Sequence, residues 1–525
     1  MRMLHFKNNF FNYFILLYLI VSIFASLNVG ITHDEFHNLD VWNINKNIYL
    51  NYLFNSNLSV EFEDLGMKYY GVGFHFFSLP FELIFNLIFS NLDLTELGQT
   101  LMLKHPSIVI IFTISGIYFQ KILNFIVQNK TYASLSAIFY LSYPYLLGHS
   151  FFNFKDIPFM SIWVICTFYI IKISNIFFKR NEIKNLDLFL LAILTSFLIS
   201  IRISGILIFF EFFVFVLITY QISKLNFKQF LKIISSKLLL FILTFIPSLF
   251  LLHPTSWTNP FIFFESINYM SQHIQTVCTT TFGDCMKAQS LPSTYVPLWL
   301  LVKLPIIILV GFLILPLIDK KIFSNELHSI NLGSLILSVI IIMLNVIFFN
   351  FHLYDEIRQV MFLVPLCFII SLSVIYFFSN AISKSILIIY LFFFLFQNIK
   401  IFPYNYLWLN NFSTIAKITN NFELDYWGVS TKNIAKFFKK NKLNKDECII
   451  SNRNDGIKQF LNLREACFIN FRNLHKKNQR PFFVVLTERS MNKGVPNNCE
   501  KIYDENFKMN FSKEKLVVAK IFKCS

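Results

Sequence analysis

The chain has 525 residues, of which 55% are hydrophobic and 14% are charged. Soluble globular domains carry about 25% charged residues, so this composition excludes an ordinary soluble protein and indicates a multi-pass membrane protein. The formal net charge of +16 does not indicate a nucleic-acid partner, because lysine and arginine collect in the cytoplasmic loops of membrane proteins. We expect no nucleic acid to bind.

The first apolar segment runs from about Phe10 to Val29, after Arg2 and Lys7. It is long enough to cross a hydrocarbon core of ~30 Å. A cleaved signal peptide would have a shorter apolar region and end at a small-residue cleavage site. We therefore expect an uncleaved anchor with its N-terminus in the cytoplasm, so that the chain emerges on the outer side after Val29.

Eleven segments are predicted to cross the membrane. A twelfth apolar segment, 69–91, contains two glycines, Pro80 and Glu82, which suits a lipid-exposed helix poorly. We predict that it is a juxtamembrane helix, because this choice places the basic residues near 179–184, 224–237 and 320–321 on the cytoplasmic side. The eleven spans lie near 10–29, 106–127, 131–148, 157–178, 187–203, 205–220, 237–252, 296–318, 331–350, 358–379 and 384–400.

The composition changes after about residue 400, where apolar runs become shorter and polar residues more frequent. We predict a transmembrane domain over 1–400, with a first outer loop over 30–105, and a small α/β extracytoplasmic domain over 401–525. Ser430 or Thr431 could cap an amphipathic helix that ends near Asn441. Three runs are typical of strands: 448–450, 481–486 and 516–522.

Six of the eight cysteines fall on the predicted outer side. Cys278 and Cys285 share one loop, and Cys448, Cys467, Cys499 and Cys524 share the C-terminal domain. An oxidising compartment permits disulfides, but their connectivity cannot be deduced from spacing, and free thiols are the alternative.

The first ionisable cluster after the anchor is Thr32-His33-Asp34-Glu35-Phe36-His37. Two adjacent carboxylates with histidines on either side, at the mouth of a span, are candidates for acid/base chemistry. The alternative is a hydrated loop with incidental charges.

Four motifs, in this order along the chain, resemble bacterial membrane glycosyltransferases of the GT-C superfamily. The similarity is to the glycosyltransferase 39 group, which includes the protein O-mannosyltransferases and the lipid A aminoarabinose transferase. The motifs are Asp34-Glu35, Gly148-His149-Ser150-Phe151-Phe152-Asn153-Phe154-Lys155-Asp156-Ile157-Pro158-Phe159, Tyr354-Asp355-Glu356-Ile357-Arg358 and Asp425-Tyr426-Trp427-Gly428.

This resemblance implies a GT-C-like enzyme of the bacterial inner (plasma) membrane that works at the outer face. It would transfer a sugar from a polyprenyl-phosphate donor to a hydroxyl of a protein, lipid or glycan acceptor. Asp34 is the candidate general base, Glu35 is the second choice or a support, and Asp156 resembles the second-loop acid. Direct attack assisted by one base would invert the anomeric centre.

The leaving group is a negatively charged phosphate, so cations must meet it. The candidates are Lys68, Lys155, Arg202 and Arg358. Lys68 resembles a basic residue of the aminoarabinose transferases, although the Pro-Pro that follows there is absent from this chain. For Arg358, snorkelling to lipid headgroups is the alternative. Further residues that could line the site are His33, His37, Tyr354 and Asp355.

Asp34 and Asp156 could together hold a divalent cation such as Mg²⁺ or Mn²⁺, but no further ligands can be placed, so the metal stays unknown and no cofactor is certain. Asp156 alone would also suit a helix N-terminus. Two other functions stay open: a transporter or flippase for a polyprenyl-linked glycan, and a glycolipid-binding protein. Within the enzymes, a polymerase or ligase of surface glycans is a close alternative.

Overall fold

A computed structural model describes residues 2–55, 66–90, 92–272, 276–318, 323–415, 417–443, 447–461, 467–471, 481–487, 494–509, 512 and 514–524. The predicted basic pair at 320–321 lies outside these residues. The molecule is mostly helical, at 70%, with a small sheet region near the C-terminus.

The first half of the chain forms thirteen of the helices in the described residues. They are α1 (Arg2–Ser26), α2 (His33–Phe54), α3 (Gly73–Ile88), α4 (Glu96–Met102), α5 (His105–Val127), α6 (Lys130–Ser142), α7 (Pro144–Ser150), α8 (Asp156–Phe178), α9 (Asn185–Ile201), α10 (Ile208–Ser223), α11 (Phe227–Leu251), α12 (Thr255–Thr258) and α13 (Phe261–Gln272).

The second half adds eight helices and seven strands in the same described regions. The helices are α14 (Tyr295–Lys303), α15 (Ile306–Ile314), α16 (Glu326–Phe348), α17 (Leu363–Phe378), α18 (Asn380–Ile401), α19 (Ile418–Asn421), α20 (Thr431–Lys440) and α21 (Asn454–Leu461). The strands are β1 (Cys278–Thr281), β2 (Asp284–Lys287), β3 (Cys448–Ser451), β4 (Cys467–Asn470), β5 (Phe482–Thr487), β6 (Cys499–Phe507) and β7 (Leu516–Cys524).

Within the described residues, 6 helices are long and apolar enough to cross a membrane, or 7 if the bent pair α14–α15 is one span. This is compatible with a multi-pass membrane protein, but the predicted count of eleven is not confirmed. The other predicted spans correspond to shorter apolar helices or, near 131–148, to α6 and α7, which are separated at Tyr143. The predicted juxtamembrane helix 69–91 is α3, which is shorter.

Helix α8 lies at the centre of the bundle. It contacts α5, α9 and α10, and 94% of its apolar window is buried. A helix that is apolar on all sides can be buried in this way. With 23 residues, α8 is ~35 Å long. Its first end, at Asp156, and its last turns, near Asn175, therefore lie on opposite sides of the bundle.

The C-terminal sheet has five strands in the order β4-β3-β5-β7-β6. Strand β3 is parallel to β4 and β5, while β7 is antiparallel to β5 and β6. Helices α20 and α21 cover one face, where Ile434, Phe438 and Ile457 pack with strand residues. The predicted helix and three strands are confirmed as α20, β3, β5 and β7.

Three disulfides join neighbouring strands. Cys278–Cys285 closes the β1–β2 hairpin, Cys448–Cys467 links β3 to β4, and Cys499–Cys524 links β6 to β7. Cys166 and Cys367 are free and buried in helices. The structure thus supplies the pairing that the sequence left open.

The sheet region packs against the residues that precede α2 and α4. Thr431 Oγ1 donates to Ile31 O at 3.1 Å, Lys432 Nζ donates to Leu27 O at 3.0 Å, and Thr95 N donates to Gln459 O at 3.0 Å. This packing holds the chain that follows the 425–428 turn against the segment that leads into α2.

Candidate functional site

Four separate stretches of the chain meet at the N-terminal end of α8. Asp34 lies in the first turn of α2, Asp156 begins α8, Arg202 occupies the break between α9 and α10, and Asp355 and Arg358 belong to the turn before α17. The sequence predicted Asp34 at the mouth of a span and Arg358 at the start of another. The structure brings all of them into one charged group, the Arg358 cluster.

The Arg358 guanidinium joins three carboxylates. Its Nη1 lies 3.3 Å from Asp34 Oδ2 and 3.7 Å from Asp156 Oδ2, and its Nη2 lies 3.1 Å from Asp355 Oδ2. Arg202 forms a further ion pair with Asp156. Charge pairing of this kind is what allows ionised groups to be buried.

The three carboxylates differ in access. The Asp34 side chain is 41% exposed, while those of Asp156 and Asp355 are 1% and 6% exposed. Burial opposes ionisation of Asp34, but Arg358, His33, Arg453 and Lys155 outweigh it and lower its pKa below the usual value. Asp34 is therefore an ionised carboxylate that a second molecule can reach.

Two hydrogen-bond donors of the Arg358 cluster are buried nitrogen atoms. Neither Arg202 Nε nor Arg358 Nε has a hydrogen-bond partner among the described residues. Buried polar groups are nearly always paired, and unpaired ones call for an explanation. An anionic ligand with several oxygens would satisfy both.

Lys155, the residue before α8, adds a third cationic group. Its ammonium lies 4.1 Å from the centre of the Tyr70 ring. Burial, together with the charge of Arg202, lowers the pKa of Lys155 to about 7, although Asp156 and Asp34 act in the opposite direction. Lys155 therefore changes charge near neutral pH.

Aromatic rings hold Arg358 in place. Its guanidinium carbon lies 4.6 Å from the Tyr354 ring centre and 4.9 Å from that of Trp427, which are cation–π distances. Trp427 comes from the turn before α20, so the C-terminal part of the chain contributes to this site. Tyr354 and Trp427 both belong to the motifs singled out in the sequence.

The turn that supplies Trp427 is held by Asp425. Its carboxylate accepts hydrogen bonds from Tyr406 Oη at 2.7 Å, Val429 N at 2.8 Å and Ser430 N at 3.1 Å. Asp425 has φ 42°, a left-handed conformation in which Asp and Asn are enriched. This local folding explains why an acid is needed at position 425.

Behind Asp156 lies a chain of hydrogen bonds that starts at Asn153. The Asn153 side-chain nitrogen donates to Asp156 Oδ2 at 2.9 Å and to His149 Nδ1 at 3.1 Å. His149 therefore carries its proton on Nε2, which lies 3.5 Å from Tyr426 Oη. Burial and the nearby Lys303 keep the pKa of His149 well below its usual value, so it is neutral.

A second buried ion pair was not predicted. Lys303 Nζ lies 2.7 Å from Glu356 Oε2, with both side chains almost fully buried. Glu356 and Asp355 have φ values of 67° and 54°, a strained conformation for residues with side chains. Burial raises the pKa of Glu356 despite this partner. The signal in the sequence was a single lysine inside an apolar segment, just before Leu304 and Pro305.

Glu35 lies outside the Arg358 cluster. Its Oε1 accepts hydrogen bonds from Thr32 N and Thr32 Oγ1, and the bond from Thr32 N is one half of a capping box at the start of α2. Its Oε2 lies 2.9 Å from His105 Nε2, and His105 Nδ1 donates to Ser26 O. Glu35 is thereby used to fix the start of α2, which positions Asp34.

Three other predicted residues, Lys68, His37 and His33, lie around the Arg358 cluster and not within it. Lys68 Nζ is 4.0 Å from Glu265 Oε2, so its nearest charged partner is outside the Arg358 cluster. His37 packs edge-on against Tyr70 at 4.8 Å. The backbone N–H of His33 donates to Trp427 O at 3.2 Å, and its side chain is exposed. Of the predicted phosphate ligands, Lys155, Arg202 and Arg358 come together and Lys68 does not.

The geometry also bears on the predicted divalent cation. Asp34 and Asp156 both face the Arg358 guanidinium, which takes the position between them that a shared metal ion would need. The described residues contain no group of three His, Cys, Asp or Glu side chains that could hold a metal ion.

No protein-family model matches the chain, and no curated protein sequence matches it either. The case for a function therefore depends on the residues of the site.

Proposed function

We propose that this chain is a membrane glycosyltransferase of the GT-C type, similar to the glycosyltransferase 39 group. It transfers a sugar from a polyprenyl-phosphate donor to an acceptor hydroxyl at the extracytoplasmic face of a bacterial inner membrane. The observation that carries the proposal is the ion pair of a reachable, ionised Asp34 with Arg358, beside buried arginine Nε donors that have no acceptor among the described residues.

In the proposed reaction Asp34 accepts the proton of the acceptor hydroxyl as its oxygen bonds to the anomeric carbon. The bond from that carbon to the phosphate oxygen breaks, and its electron pair leaves with the phosphate. Arg202, Arg358 and protonated Lys155 offset the negative charge that develops there. One direct displacement inverts the anomeric centre.

The disulfides support the proposed location. All six paired cysteines lie in segments that the charge distribution assigns to the outside, and both free cysteines lie in helices. Disulfides persist in oxidising compartments and are rare in the cytosol. The Arg358 cluster belongs to the same predicted side.

The proposal is tested with purified protein in lipid and a panel of radiolabelled polyprenyl-phosphate sugars and hydroxyl acceptors. We expect Asp34→Asn to lower the transfer rate by about 10²–10⁴-fold, as for loss of a general base, without weakening donor binding. Asp284→Asn changes an exposed carboxylate in β2 and should leave the rate unchanged. Donor binding without turnover by the wild type across the panel would contradict the proposal.

One observation favours a transporter or flippase as the second candidate. The α14–α15 pair bends by 117°, and the buried Lys303–Glu356 pair lies at this break. Discontinuous helices with charged groups at the break are typical of transporter binding sites. Movement of a fluorescent polyprenyl-phosphate sugar across protein-containing vesicles, without any transfer product, would favour this function.

A further inference from the structure

A cavity of about 490 Å³ lies at the other end of α8, away from the Arg358 cluster. Its described lining comes from the ends of α5 and α8 and the starts of α6 and α16. Two asparagines, Asn175 and Asn331, are buried in its wall, and three exposed lysines, Lys121, Lys130 and Lys179, surround it. None of these residues takes part in the proposed transfer reaction.

The two buried asparagines each place a side-chain oxygen that can accept a hydrogen bond inside the molecule. Asn175 and Asn331 are 6% and 1% exposed, and the Oδ1 atom of each has no hydrogen-bond partner among the described residues. Such groups are expected to be paired. Asn331 also lies in a π-helical turn, Ser329–Gly333, a feature frequent at functional sites. A ligand that fits this wall therefore carries hydroxyl or N–H donors.

The charge around the cavity is positive. The described lining contains three lysines and no aspartate or glutamate. The Lys121 ammonium is held 4.3 Å from the Tyr118 ring centre and 5.5 Å from that of Phe168. Lysines near the ends of α5 and α8 also compensate the helix dipoles, but this role supplies no hydrogen bond to the two amide oxygens. A ligand that carries both a negative charge and hydroxyl groups would pair with the lysines and with the two asparagine oxygens.

We propose that this cavity binds the headgroup of a phospholipid in which the phosphate ester carries free hydroxyls, as in phosphatidylglycerol. Lys121 and Lys179 contact the phosphate, and the oxygens of Asn175 and Asn331 accept hydrogen bonds from the hydroxyls. A lipid is favoured over a soluble phosphate ester because Phe125, in the cavity lining, is 39% exposed and offers an apolar path for an acyl chain. Basic pockets between membrane helices bind anionic headgroups in this way.

The test is native mass spectrometry of the full chain in detergent, with added phosphatidylglycerol or phosphatidylcholine of the same acyl chains. We expect one phosphatidylglycerol to be retained in preference to phosphatidylcholine, whose headgroup lacks hydroxyls. The double variant K121Q/K179Q should bind phosphatidylglycerol about fivefold more weakly, as for the loss of two exposed ion pairs. The matched control is Lys184→Gln, an exposed lysine outside the described lining.

The variant Asn331→Leu tests the proposed hydroxyl contacts separately from the proposed phosphate contacts. It should lower phosphatidylglycerol binding while leaving phosphatidylcholine binding unchanged, provided that the lipid-free thermal unfolding temperature matches the wild type. Should it not match, Asn175→Leu takes its place. Equal retention of both lipids, or undiminished phosphatidylglycerol binding in the double variant, would overturn the site. Displacement of the lipid by glycerol 1-phosphate at equal concentration would show that the cavity binds a soluble phosphate ester and not specifically a lipid.

Discussion

Lys155 should make the KM for the donor depend on pH, and this effect can be measured separately from those of the other charged residues of the site. Its pKa is about 7 because burial and Arg202 disfavour the ammonium form. The amine is therefore charged below this pH and neutral above it. If the ammonium contacts the donor phosphate, the KM for the donor should rise several-fold as the pH increases from 6 to 8, with less change in kcat.

The control for this prediction is Lys155→Arg, because a guanidinium stays charged throughout this range. Steady-state kinetics of this variant should show a donor KM that no longer depends on pH between 6 and 8. A pH dependence identical to that of the wild type would show that another group is responsible.

Asp34 and Arg358 are coupled through their 3.3 Å ion pair. The positive charge lowers the pKa of Asp34, so Asp34 stays ionised, and able to accept a proton, into the acid range. Replacing Arg358 with Gln should raise this pKa, and the acid limb of the kcat profile should move to higher pH. Arg358→Lys keeps the charge and should restore much of the original profile; an acid limb that stays in place in Arg358→Gln would rule out Asp34 as its origin.

The residues of the Arg358 cluster were predictable because each follows or precedes an apolar segment, where ionisable groups are conspicuous. Lys303 and Glu356 were harder to identify. Lys303 lies inside an apolar segment, and only the fold shows that Glu356 is its partner. Of the adjacent carboxylates Asp34 and Glu35, only Asp34 reaches the cluster, because neighbouring residues on a helix point in different directions.

At the level of elements, the 425–428 turn connects the C-terminal part of the chain to the site. Asp425→Ala removes an acceptor shared by three donors, one of which is the buried Tyr406 hydroxyl. We expect unfolding free energy to fall by about 1–3 kcal/mol, the cost of leaving buried donors unpaired. Thermal unfolding measures this loss, and the donor KM should rise because Trp427 is displaced from Arg358.

Asp425→Asn is the matched control. Asparagine also tolerates the left-handed conformation and keeps one oxygen for the Tyr406 hydroxyl and the Val429 N–H. Its loss of stability should therefore be smaller than that of Asp425→Ala. Equal losses in the two variants would mean that the carboxylate does not hold the turn through these bonds.

The strands illustrate what local pattern can predict. Strands β3, β5 and β7 are rich in β-branched and aromatic residues, so their composition identified them as strands. Strand β6, Cys499–Phe507, has four charged side chains before Asn506 and an irregular register against β7. It belongs to the sheet because of its pairing with β7 and the Cys499–Cys524 bond, and neither can be deduced from one sequence.

At the scale of the whole molecule, the two ends of α8 lie in chemically different surroundings. The end at Asp156 has paired charges of both signs, while the end at Asn175 has lysines and no acids in the described cavity lining. The hydropathy of the chain predicted membrane helices but does not establish their number, since α9 and α17 are shorter apolar helices that are not among the 6 or 7 candidate spans of the described residues.

The two ends of α8 should therefore face opposite sides of the membrane. Asn181 follows α8 and Ser290 lies beyond the β1–β2 hairpin, and both are exposed. In bacterial spheroplasts that express Asn181→Cys or Ser290→Cys, a membrane-impermeant maleimide should label position 290 directly and position 181 only after lysis. This follows from the excess of lysine and arginine near 179–184, which favours the cytoplasm, and from the Cys278–Cys285 disulfide, which favours an oxidising compartment. Labelling in the reverse order would place the Arg358 cluster in the cytoplasm and rule out transfer at the extracytoplasmic face.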